Sequence, residues 1–332
     1  MIIGIDGGGT KTTGVAVEEG GKILALKTVG PSNPNSSSEE AVRHEINELF
    51  SILTKGKALT EEDVVFAGIS GVESGGKKEW FIKLLREFTG PLANIFVDND
   101  AVTALYSETK GQPGIVCISG TGSIVYGIND MLERDRVGGW GYLIGDGYSG
   151  FALGKKALDH IFSNYDYQGE SPGEMSDKIL NQFKVETVPE LVPVMYEMGK
   201  SRDRVASIAK IVIELSSIGD EKAISFLHEA ADSMMKDITI LFYKLYGQDG
   251  EHKQIPIVLT GGINQHAKEI ITYLKEKGLK ERSPFSFKRA AQHPVAGAIY
   301  ASHKEMGKDI TPIFIKRLEA ELTKWMKTDV KG

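Results

Sequence analysis

Apolar residues in the first third of the chain fall into two recurring patterns. Short continuous runs at Met1–Ile5, Val64–Ile69 and Asn94–Val97 are typical of buried strands. Between and after them, residues 42–53 and 80–88 place apolar side chains three or four positions apart, as amphipathic helices do. Strands that alternate with helices predict an α/β architecture with parallel strand pairing.

The rest of the chain is richer in helical patterns. Apolar stripes at residues 205–213 and 227–245 predict helices that bury one face in a core. Ile255–Leu259 is predicted to form a strand, and Gln265–Lys277 a helix after it. A charged amphipathic helix at Pro312–Trp325 is expected to pack back onto the first lobe.

One segment of the chain occurs twice. Ile5–Thr10 and Ile118–Ser123 superpose with a constant offset, and the same offset aligns Gly14 with Gly127. Each copy lies between two apolar runs, so each predicts a strand, a glycine turn and a second strand. Two such hairpins, one opening each half of the chain, predict the duplication of a lobe.

The length of the chain agrees with two lobes. A chain of 332 residues exceeds what one hydrophobic core usually serves, so two domains are expected. We place the N-terminal lobe at residues 1–112 and the C-terminal lobe at residues 113–304. The C-terminal helix, residues 305–332, is expected to join the N-terminal lobe. The insertion-like stretch 166–189 has no role that the sequence assigns.

The charge and the cysteine content exclude several classes of protein. The net charge is −6 and the 39 Lys and Arg residues are spread along the chain, so no surface for nucleic acid or an anionic membrane is predicted. The chain has no run of about 18 apolar residues, and we expect no secretion signal. Cys117 is the only cysteine, which excludes intrachain disulfides and clusters held within one chain. We expect a cytoplasmic enzyme that acts on a small molecule.

The segment Asp6–Thr12 has the chemistry of a phosphate site. Its three consecutive glycines let the backbone direct N–H groups at phosphate oxygens, and the Thr10 hydroxyl adds a donor. Asp6, just before the turn, can hold hydrated Mg²⁺ against the same phosphates. A glycine-rich turn without a ligand is the alternative, and the second copy at Gly120–Ser123 counts against it. The segment is not a Walker A loop, because no Gly-Lys-Ser/Thr triplet follows at the required distance.

Together with Leu259–Gly262, these segments give the chain a family resemblance. It resembles the actin–hexokinase-like sugar kinases, and within them the N-acetylglucosamine kinase family related to the BadF/BadG/BcrA/BcrD ATPases, in order from Asp6 to about Gly297. The resemblance implies an α/β, two-lobed actin-like ATPase fold, a ribonuclease H-like duplication with a nucleotide and sugar cleft between the lobes. It also implies ATP and Mg²⁺ as cofactors.

The resemblance assigns roles to individual residues. Asp100 is the implied catalytic base, between a strand and a helix, where a helix N-terminus stabilises the carboxylate. Plain N-capping by Asp98, Asn99 or Asp100 is the alternative. The implied cofactor-binding residues are Asp6, which is also the metal ligand, Gly7, Gly8, Gly9, Thr10, Lys11, Thr12, Gly120, Thr121, Gly122, Ser123, Gly261 and Gly262. The implied substrate residues are Asn33, Ser70, Gly71, Asp100, Thr121, Gly139, Trp140, Gly141 and Asp146.

Several of these residues have a structural alternative. Asn33 precedes Pro34 and is also a good turn residue, while Gly261 and Gly262 also suit a strand–helix turn. Trp140 either stacks on a sugar face or packs the seam between the lobes. Small residues at 296–298 are expected to open room beside adenosine.

The implied activity is ATP-dependent phosphorylation of an amino sugar, N-acetylglucosamine or N-acetylmuramic acid, at the 6-hydroxyl. Glucosamine kinase is an alternative within this class. An ATPase activator of an acyl-CoA reductase or dehydratase, and a sensor without catalytic activity, are alternatives outside it. The expected partner is the small-molecule sugar, with no nucleic acid and no membrane, and a homodimer stays open.

Overall fold

The computed structural model describes residues 1–73, 75–247 and 254–329. Contacts divide the chain into two compact units: unit 1 comprises residues 1–112 and the chain from 291 onward, and unit 2 comprises residues 113–290. Residues 330–332 of the predicted C-terminal helix lie outside the described residues. No helix in the described ranges is long and apolar enough to cross a membrane.

Unit 1 is a five-stranded sheet with helices packed against it. Its sheet has the order β3-β2-β1-β4-β5, in which the first three strands are antiparallel neighbours and β4 and β5 run parallel to β1. The elements are β1 (Ile2–Gly7), β2 (Thr12–Val17), β3 (Ile23–Val29), α1 (Glu39–Thr54), β4 (Val64–Ile69), α2 (Lys77–Thr89), β5 (Asn94–Asp98), α3 (Asp100–Thr109), α12 (Pro294–Glu305) and α13 (Pro312–Asp329).

Alternate residues of β1 meet different helices. Ile3 and Ile5 belong to the hydrophobic core that includes buried residues of α1 and α2. Gly4 points the other way, where a methyl group built on it would lie 3.0 Å from the Cβ of Ala298 on α12. The period-2 alternation of a strand thus buries β1 on both faces, which explains why the run from Ile2 to Ile5 is apolar throughout.

Helices α3 and α12 pack backbone against backbone in unit 1. A methyl group built on Gly297 would collide with the Thr103 carbonyl group and lie 2.7 Å from the Ser107 nitrogen. Ala296 and Ala298 are fully buried. The small residues at 296–298 therefore serve this helix contact, not the expected space beside adenosine. The same contact places α12 in unit 1, whereas the sequence interpretation assigned residues up to 304 to the second lobe.

Unit 2 repeats the sheet of unit 1 and adds helices. Its sheet has the order β10-β9-β6-β7-β8. As in unit 1, the first three strands, β6, β7 and β8, are antiparallel neighbours, and β9 and β10 run parallel to β6. The elements are β6 (Gly114–Ser119), β7 (Ser123–Ile128), β8 (Arg134–Gly138), α4 (Gly150–Gln168), α5 (Glu174–Phe183), a 3-10 turn (Val188–Glu190), α6 (Leu191–Met195), α7 (Ser201–Ser207), α8 (Ala209–Ser217), α9 (Glu221–Tyr246), β9 (Ile255–Thr260), α10 (Gly262–His266), α11 (Lys268–Lys280) and β10 (Phe285–Arg289).

The shared strand order agrees with the duplication that the two glycine segments predicted, but one sequence match is not structural. Gly14 faces Ile5 across the first hairpin, whereas Gly127 faces Ile115 across the second. The second hairpin turns back earlier, so Gly14 and Gly127 do not occupy equivalent positions.

The insertion-like stretch 166–189 is mostly helix. It contains the end of α4, all of α5 and part of the 3-10 turn. Met175 and Ile179 of α5 are buried in the hydrophobic core of unit 2. This part of the stretch therefore contributes to the core of unit 2.

Candidate active site

Two carboxylates lie together in unit 1. Asp6 is near the end of β1, and Asp100 is the first residue of α3. The Thr103 hydroxyl is 2.5 Å from Oδ1 of Asp6 and 2.7 Å from the Asp100 carbonyl oxygen. This hydroxyl connects the strand end to the first turn of the helix, so the positions of the two acids depend on each other.

Helix α3 is capped by Asn99 and not by a neighbouring aspartate. Asn99 has extended backbone angles, and its side-chain oxygen accepts the Ala101 N–H at 2.8 Å. Asp98 accepts the N–H of Asn99, also at 2.8 Å. The capping role that the sequence left open therefore belongs to Asn99, and the Asp100 side chain is hydrogen-bonded instead by the Ser70 hydroxyl.

Both carboxyl groups hold their protons more tightly than usual. Burial, with the charge of Asp6, raises the pKa of Asp100 to about 7. Burial also raises the pKa of Asp6 to about 6, against the hydrogen bond from Thr103 and the charge of Lys11. A carboxyl with a pKa near neutrality is matched to general-base chemistry, and a pair of close carboxylates is also matched to a cation.

The predicted substrate residues of unit 1 gather beside these acids. The Ser70 N–H donates to the Gly7 carbonyl at 2.8 Å. Gly71 has a φ of 84°, and a methyl group built on it would lie 2.6 Å from Oδ1 of Asn33 and from Nδ2 of Asn35. Oδ1 of Asn33 accepts the Asn35 N–H at 2.8 Å, as in a turn, while its NH₂ group forms no hydrogen bond with a described residue. Asn33 thus supports the loop through its oxygen and keeps two donors for a ligand.

The glycines of the first phosphate segment have different environments. A methyl group on Gly7 would collide with the Ser32 hydroxyl and lie 2.7 Å from Ile69, so packing requires glycine there. Gly8 and Gly9 have no neighbour closer than 3.8 Å to such a group, and neither has a positive φ. Neither backbone conformation nor packing against the described residues of unit 1 therefore requires glycine at positions 8 and 9.

The remaining residues of this segment divide between the tip and the stem of the hairpin. Thr10 and Lys11 are exposed at the tip, where the Lys11 carbonyl accepts the Gly8 N–H at 3.0 Å. Thr12 is buried in the stem, and its hydroxyl has no hydrogen-bond partner among the described residues. The hairpin geometry thus offers Thr10 and Lys11, but not Thr12, to a ligand at the tip.

The second phosphate segment, in unit 2, is tied to the start of α4. The Gly150 N–H donates to the Gly120 carbonyl at 2.7 Å, and the Gly120 N–H donates to the Gly122 carbonyl at 2.9 Å. Gly120 has no neighbour within 4 Å of a built methyl group, and Thr121 is exposed. The Ser123 hydroxyl is buried and finds no hydrogen-bond partner in the part of the chain that the structure describes. Gly120 and Thr121 therefore form the open side of this loop.

Asp146 lies against the second phosphate segment. A methyl group built on Gly122 would be 2.9 Å from Oδ2 of Asp146. The backbone N–H groups of Ser123 and Gly141 donate to the Asp146 carboxylate, while burial raises the pKa of this group. Asp146 has a φ of 61°, which is uncommon for a residue with a side chain. The structure thus brings together Asp146, Gly141 and the predicted phosphate turn.

Gly261 also contacts this turn, through backbone. It has a φ of 90°, and a methyl group built on it would collide with the Ser119 carbonyl oxygen and lie 2.5 Å from the Ser119 carbonyl carbon. Asn264 fixes the same region by donating to the carbonyl oxygens of Cys117 at 3.0 Å and Thr260 at 2.9 Å. Gly262 has no neighbour within 4 Å of a built methyl group. Packing therefore explains Gly261 but not Gly262.

Gly139 and Trp140 lie at the end of β8. Gly139 has a φ of 71°, and a methyl group built on it would be 2.8 Å from Ile124. The guanidinium of Arg136 lies 4.2 Å from the centre of the Trp140 ring, a cation–π contact. The Trp140 side chain remains 64% exposed within this arrangement. Its contact inside unit 2 is thus with Arg136, and most of the ring is open.

Sequence reasoning missed several residues near these groups. Thr103 has no signal of its own, because a threonine within a helix usually bonds its own backbone. His293 caps α12, and burial with the charge of Lys11 lowers its pKa to about 4. Arg202, on α7, lies near Gly122. Each comes from a segment distant in sequence from the motif that it approaches.

Comparisons with known proteins give the chain relatives along most of its length. A model of the BadF/BadG/BcrA/BcrD ATPase family matches residues 3–301. The chain is 34% identical over 295 residues to the N-acetyl-D-glucosamine kinase of Dictyostelium discoideum, with 86% of this chain and 91% of that protein covered. It is 33% identical over 264 residues to the N-acetylmuramic acid/N-acetylglucosamine kinase of Clostridium acetobutylicum, with 79% and 85% covered.

A solved structure of a protein from Chromobacterium violaceum is similar in fold. It is 22% identical, has a TM-score of 0.70, and the match covers 90% of this chain and 97% of that one. The two mixed five-stranded sheets have the strand order of the actin-like ATPase fold, as the sequence resemblance implied. With a family match across almost the whole sequence, the chain belongs to the BadF/BadG/BcrA/BcrD ATPase family.

Proposed function

We propose that the protein transfers the γ-phosphoryl group of ATP to the 6-hydroxyl of an amino sugar, N-acetylglucosamine or N-acetylmuramic acid. The names of the two relatives above support this class of substrate. The observation that carries the proposal is a set of glycines in both units that neither backbone conformation nor packing requires.

These glycines are Gly8, Gly9, Gly120, Gly147 and Gly262. None has a positive φ, and a methyl group on any of them would meet no atom closer than 3.8 Å. In a loop or at the start of a helix, glycine without a conformational or packing reason is expected where a ligand must come close to the backbone. The N–H groups of Gly8 and Gly120 are bonded within their own turns, so these glycines serve to let a phosphate come close to the backbone, and Gly262 does the same for adenosine.

Asp100 is the proposed general base. Its carboxylate accepts the proton of the sugar hydroxyl as the new O–P bond forms and the bond between the γ-phosphorus and the β–γ bridging oxygen breaks, so that ADP leaves. Ser70 holds the carboxylate and Asn99 holds the helix on which it sits. Because little covalent chemistry is demanded of the nucleophile, most of the rate should come from this positioning.

The residues of unit 1 fit Mg²⁺. Mg²⁺ is usually held by one or two carboxylates, with phosphate oxygens and water completing its shell. Asp6, with Asp100 near it, offers that donor set. No group of three or more His, Cys, Asp or Glu side chains is arranged for a metal within residues 1–73, 75–247 and 254–329. When bound, Mg²⁺ would neutralise charge on the phosphates, and Asp6 is the residue proposed to hold it.

The residues proposed to bind the sugar are Asn33, Asp146 and Trp140. Asn33 presents a free NH₂ group beside Gly71, and Asp146 presents a carboxylate fixed by two backbone N–H groups. Amide donors and carboxylate acceptors suit the hydroxyl and acetamido groups of an amino sugar. Trp140, with most of its ring exposed, supplies an apolar face for a sugar ring.

The ATPase activators of acyl-CoA reductases and dehydratases are the main alternative. That chemistry needs cysteine thiolates to hold a cluster at a subunit interface. Cys117 is fully buried in β6, and burial raises the pKa of its thiol. A buried thiol that resists ionisation is a poor cluster ligand, which favours the kinase.

The test is ADP release, measured by a coupled assay with Mg-ATP and a panel of N-acetylglucosamine, N-acetylmuramic acid, glucosamine and glucose. We expect release with an N-acetylated amino sugar, little hydrolysis without sugar, and a 6-phosphate product by ³¹P and ¹H NMR. Hydrolysis of ATP that no sugar accelerates would reject the proposal. Iron in the purified protein with cluster absorption would instead support the activator.

A further inference from the structure

An arginine with no hydrogen bond or ion pair among the described residues lies beside the second phosphate segment. A methyl group built on Gly122 would be 3.4 Å from Nη2 of Arg202. The Arg202 guanidinium also lies 5.6 Å from the centre of the Tyr142 ring. It forms no hydrogen bond or ion pair with any described residue, although its positive charge opposes the rise in the pKa of Asp146 that burial causes. Arg202 is exposed, so a cation lies at the glycine turn with its donors facing solvent.

The neighbouring arginine on the same helix shows the contrast. Arg204 donates to the Val194 carbonyl at 2.5 Å and forms an ion pair with Glu197. Its donors therefore have structural partners, as those of most partly buried arginines do. The Asp146 carboxylate does not depend on Arg202 for its hydrogen bonds, because it already accepts the N–H groups of Ser123 and Gly141.

The fold holds α7, and with it Arg202, close to the phosphate turn. Gly150 and Gly154 lie one turn apart on α4, and their missing side chains let the α7 backbone approach. A methyl group on Gly150 would be 3.2 Å from the Ala206 carbonyl oxygen, and one on Gly154 would collide with the Val205 carbonyl group. The methyl group built on Gly150 would also be 3.2 Å from the Gly120 carbonyl oxygen. One glycine face of α4 therefore seats both α7 and the turn.

We propose that Arg202 binds a phosphate oxygen of the nucleotide held at Gly120–Ser123. The inference rests on the proposed function, since it takes ATP as the ligand of this turn. Guanidinium is planar, always charged and suited to paired hydrogen bonds with phosphate, and Tyr142 restrains it without using its donors. Arg202 acts as a binding residue, which adds a positive charge to a turn that otherwise offers backbone N–H groups.

The experiment compares ATP, ADP and adenosine as ligands of the full-length protein by isothermal titration calorimetry. For Arg202→Gln we expect affinity for ATP or ADP to fall about 10- to 100-fold, the loss typical of a hydrogen bond to a charged group. Affinity for adenosine, which has no phosphate, should stay the same. Arg202→Lys keeps the charge but not the paired donors, so its affinity for ATP or ADP should lie between those of the parent and Arg202→Gln.

Arg204→Gln is the matched control. It removes an arginine from the same helix and should lower Tm, because Glu197 and the Val194 carbonyl lose their partner, while the ratio of ATP to adenosine affinity stays unchanged. Equal losses for adenosine and ATP in Arg202→Gln would overturn the inference, because they indicate a structural role. So would a loss confined to KM for N-acetylmuramic acid, which would assign Arg202 to the sugar carboxylate.

Different results would reject the proposed kinase function and the assignment of Arg202. Parent protein that binds neither ATP nor ADP would reject the proposed function itself. Parent protein that binds ATP and phosphorylates a sugar, with Arg202→Gln indistinguishable from it, would reject only the assignment of Arg202.

Discussion

Replacement of Asp100 by asparagine keeps the shape of the side chain and the Ser70 contact but removes the ability to accept a proton. We expect kcat to fall about 10²- to 10⁴-fold, the usual contribution of a positioned acid–base group, while KM for the sugar changes little. The pH profile should change with it. Parent kcat/KM should rise as the pH rises through about 7, where Asp100 ionises, and the residual activity of the variant should lack this step.

The same substitution should make the protein more stable. Because burial and Asp6 raise the pKa of Asp100 from 3.8 to about 7, the folded protein holds this proton more tightly than the unfolded chain. Stability is therefore lost as the pH rises from about 4 to about 7. At 1.36 kcal/mol per pKa unit the shift corresponds to roughly 4 kcal/mol at most. The free energy of unfolding of Asp100→Asn should exceed that of the parent by up to that amount at about pH 8. At about pH 4 the two free energies should differ little.

Urea unfolding at the two pH values, alongside the coupled ADP assay, checks both effects. Loss of turnover together with loss of stability at the higher pH would refute the reasoning, because it would mean that the Asp100 carboxylate holds the fold. Near-normal turnover in the variant would show that Asp100 is not the base.

Three further predictions use single substitutions. Gly120→Ala should leave the free energy of unfolding within about 0.5 kcal/mol of the parent but weaken ATP binding in calorimetry, since its methyl group fills only the open side of the turn. Gly261→Ala should cost about 1–3 kcal/mol in urea unfolding because of its positive φ and the Ser119 backbone, whereas Gly262→Ala should cost less than about 1 kcal/mol. Cys117→Ala should retain kcat in the ADP assay, whereas an activator would lose function with its thiol.

Local patterns were sufficient to predict much of the architecture. The two hairpins could be predicted because each glycine turn lies between short apolar runs, and buried strands such as β4 require such runs. β8 was missed, because Arg134–Gly138 lies at a sheet edge, has no fully buried residue and shows no alternation. Edge strands carry little of the hydrophobic signal that identifies central ones.

Local patterns were not sufficient to separate residues of the same type. In sequence, Gly7, Gly8, Gly120 and Gly261 are equivalent, yet Gly7 and Gly261 are required by packing and Gly8 and Gly120 are not. The choice of cap for α3 likewise depends on the backbone angles of Asn99, which three adjacent polar residues cannot reveal. Side chains that arrive from distant segments, such as Thr103 beside Asp6, depend on tertiary packing alone.

The close approach of α12 to α3 makes Gly297 important for the positions of Asp6 and Asp100, although it contacts neither carboxyl group. Its neighbour Thr103 carries the hydroxyl that joins Asp6 to the first turn of α3, so a side chain at 297 would displace both acids at once. In a saturation mutagenesis scan for growth or activity, this buried glycine should score as poorly as Asp100 itself. The intolerance of Gly297 to substitution would then reflect the packing of α12 against α3. A map of such scores would therefore overstate the number of residues in the catalytic centre.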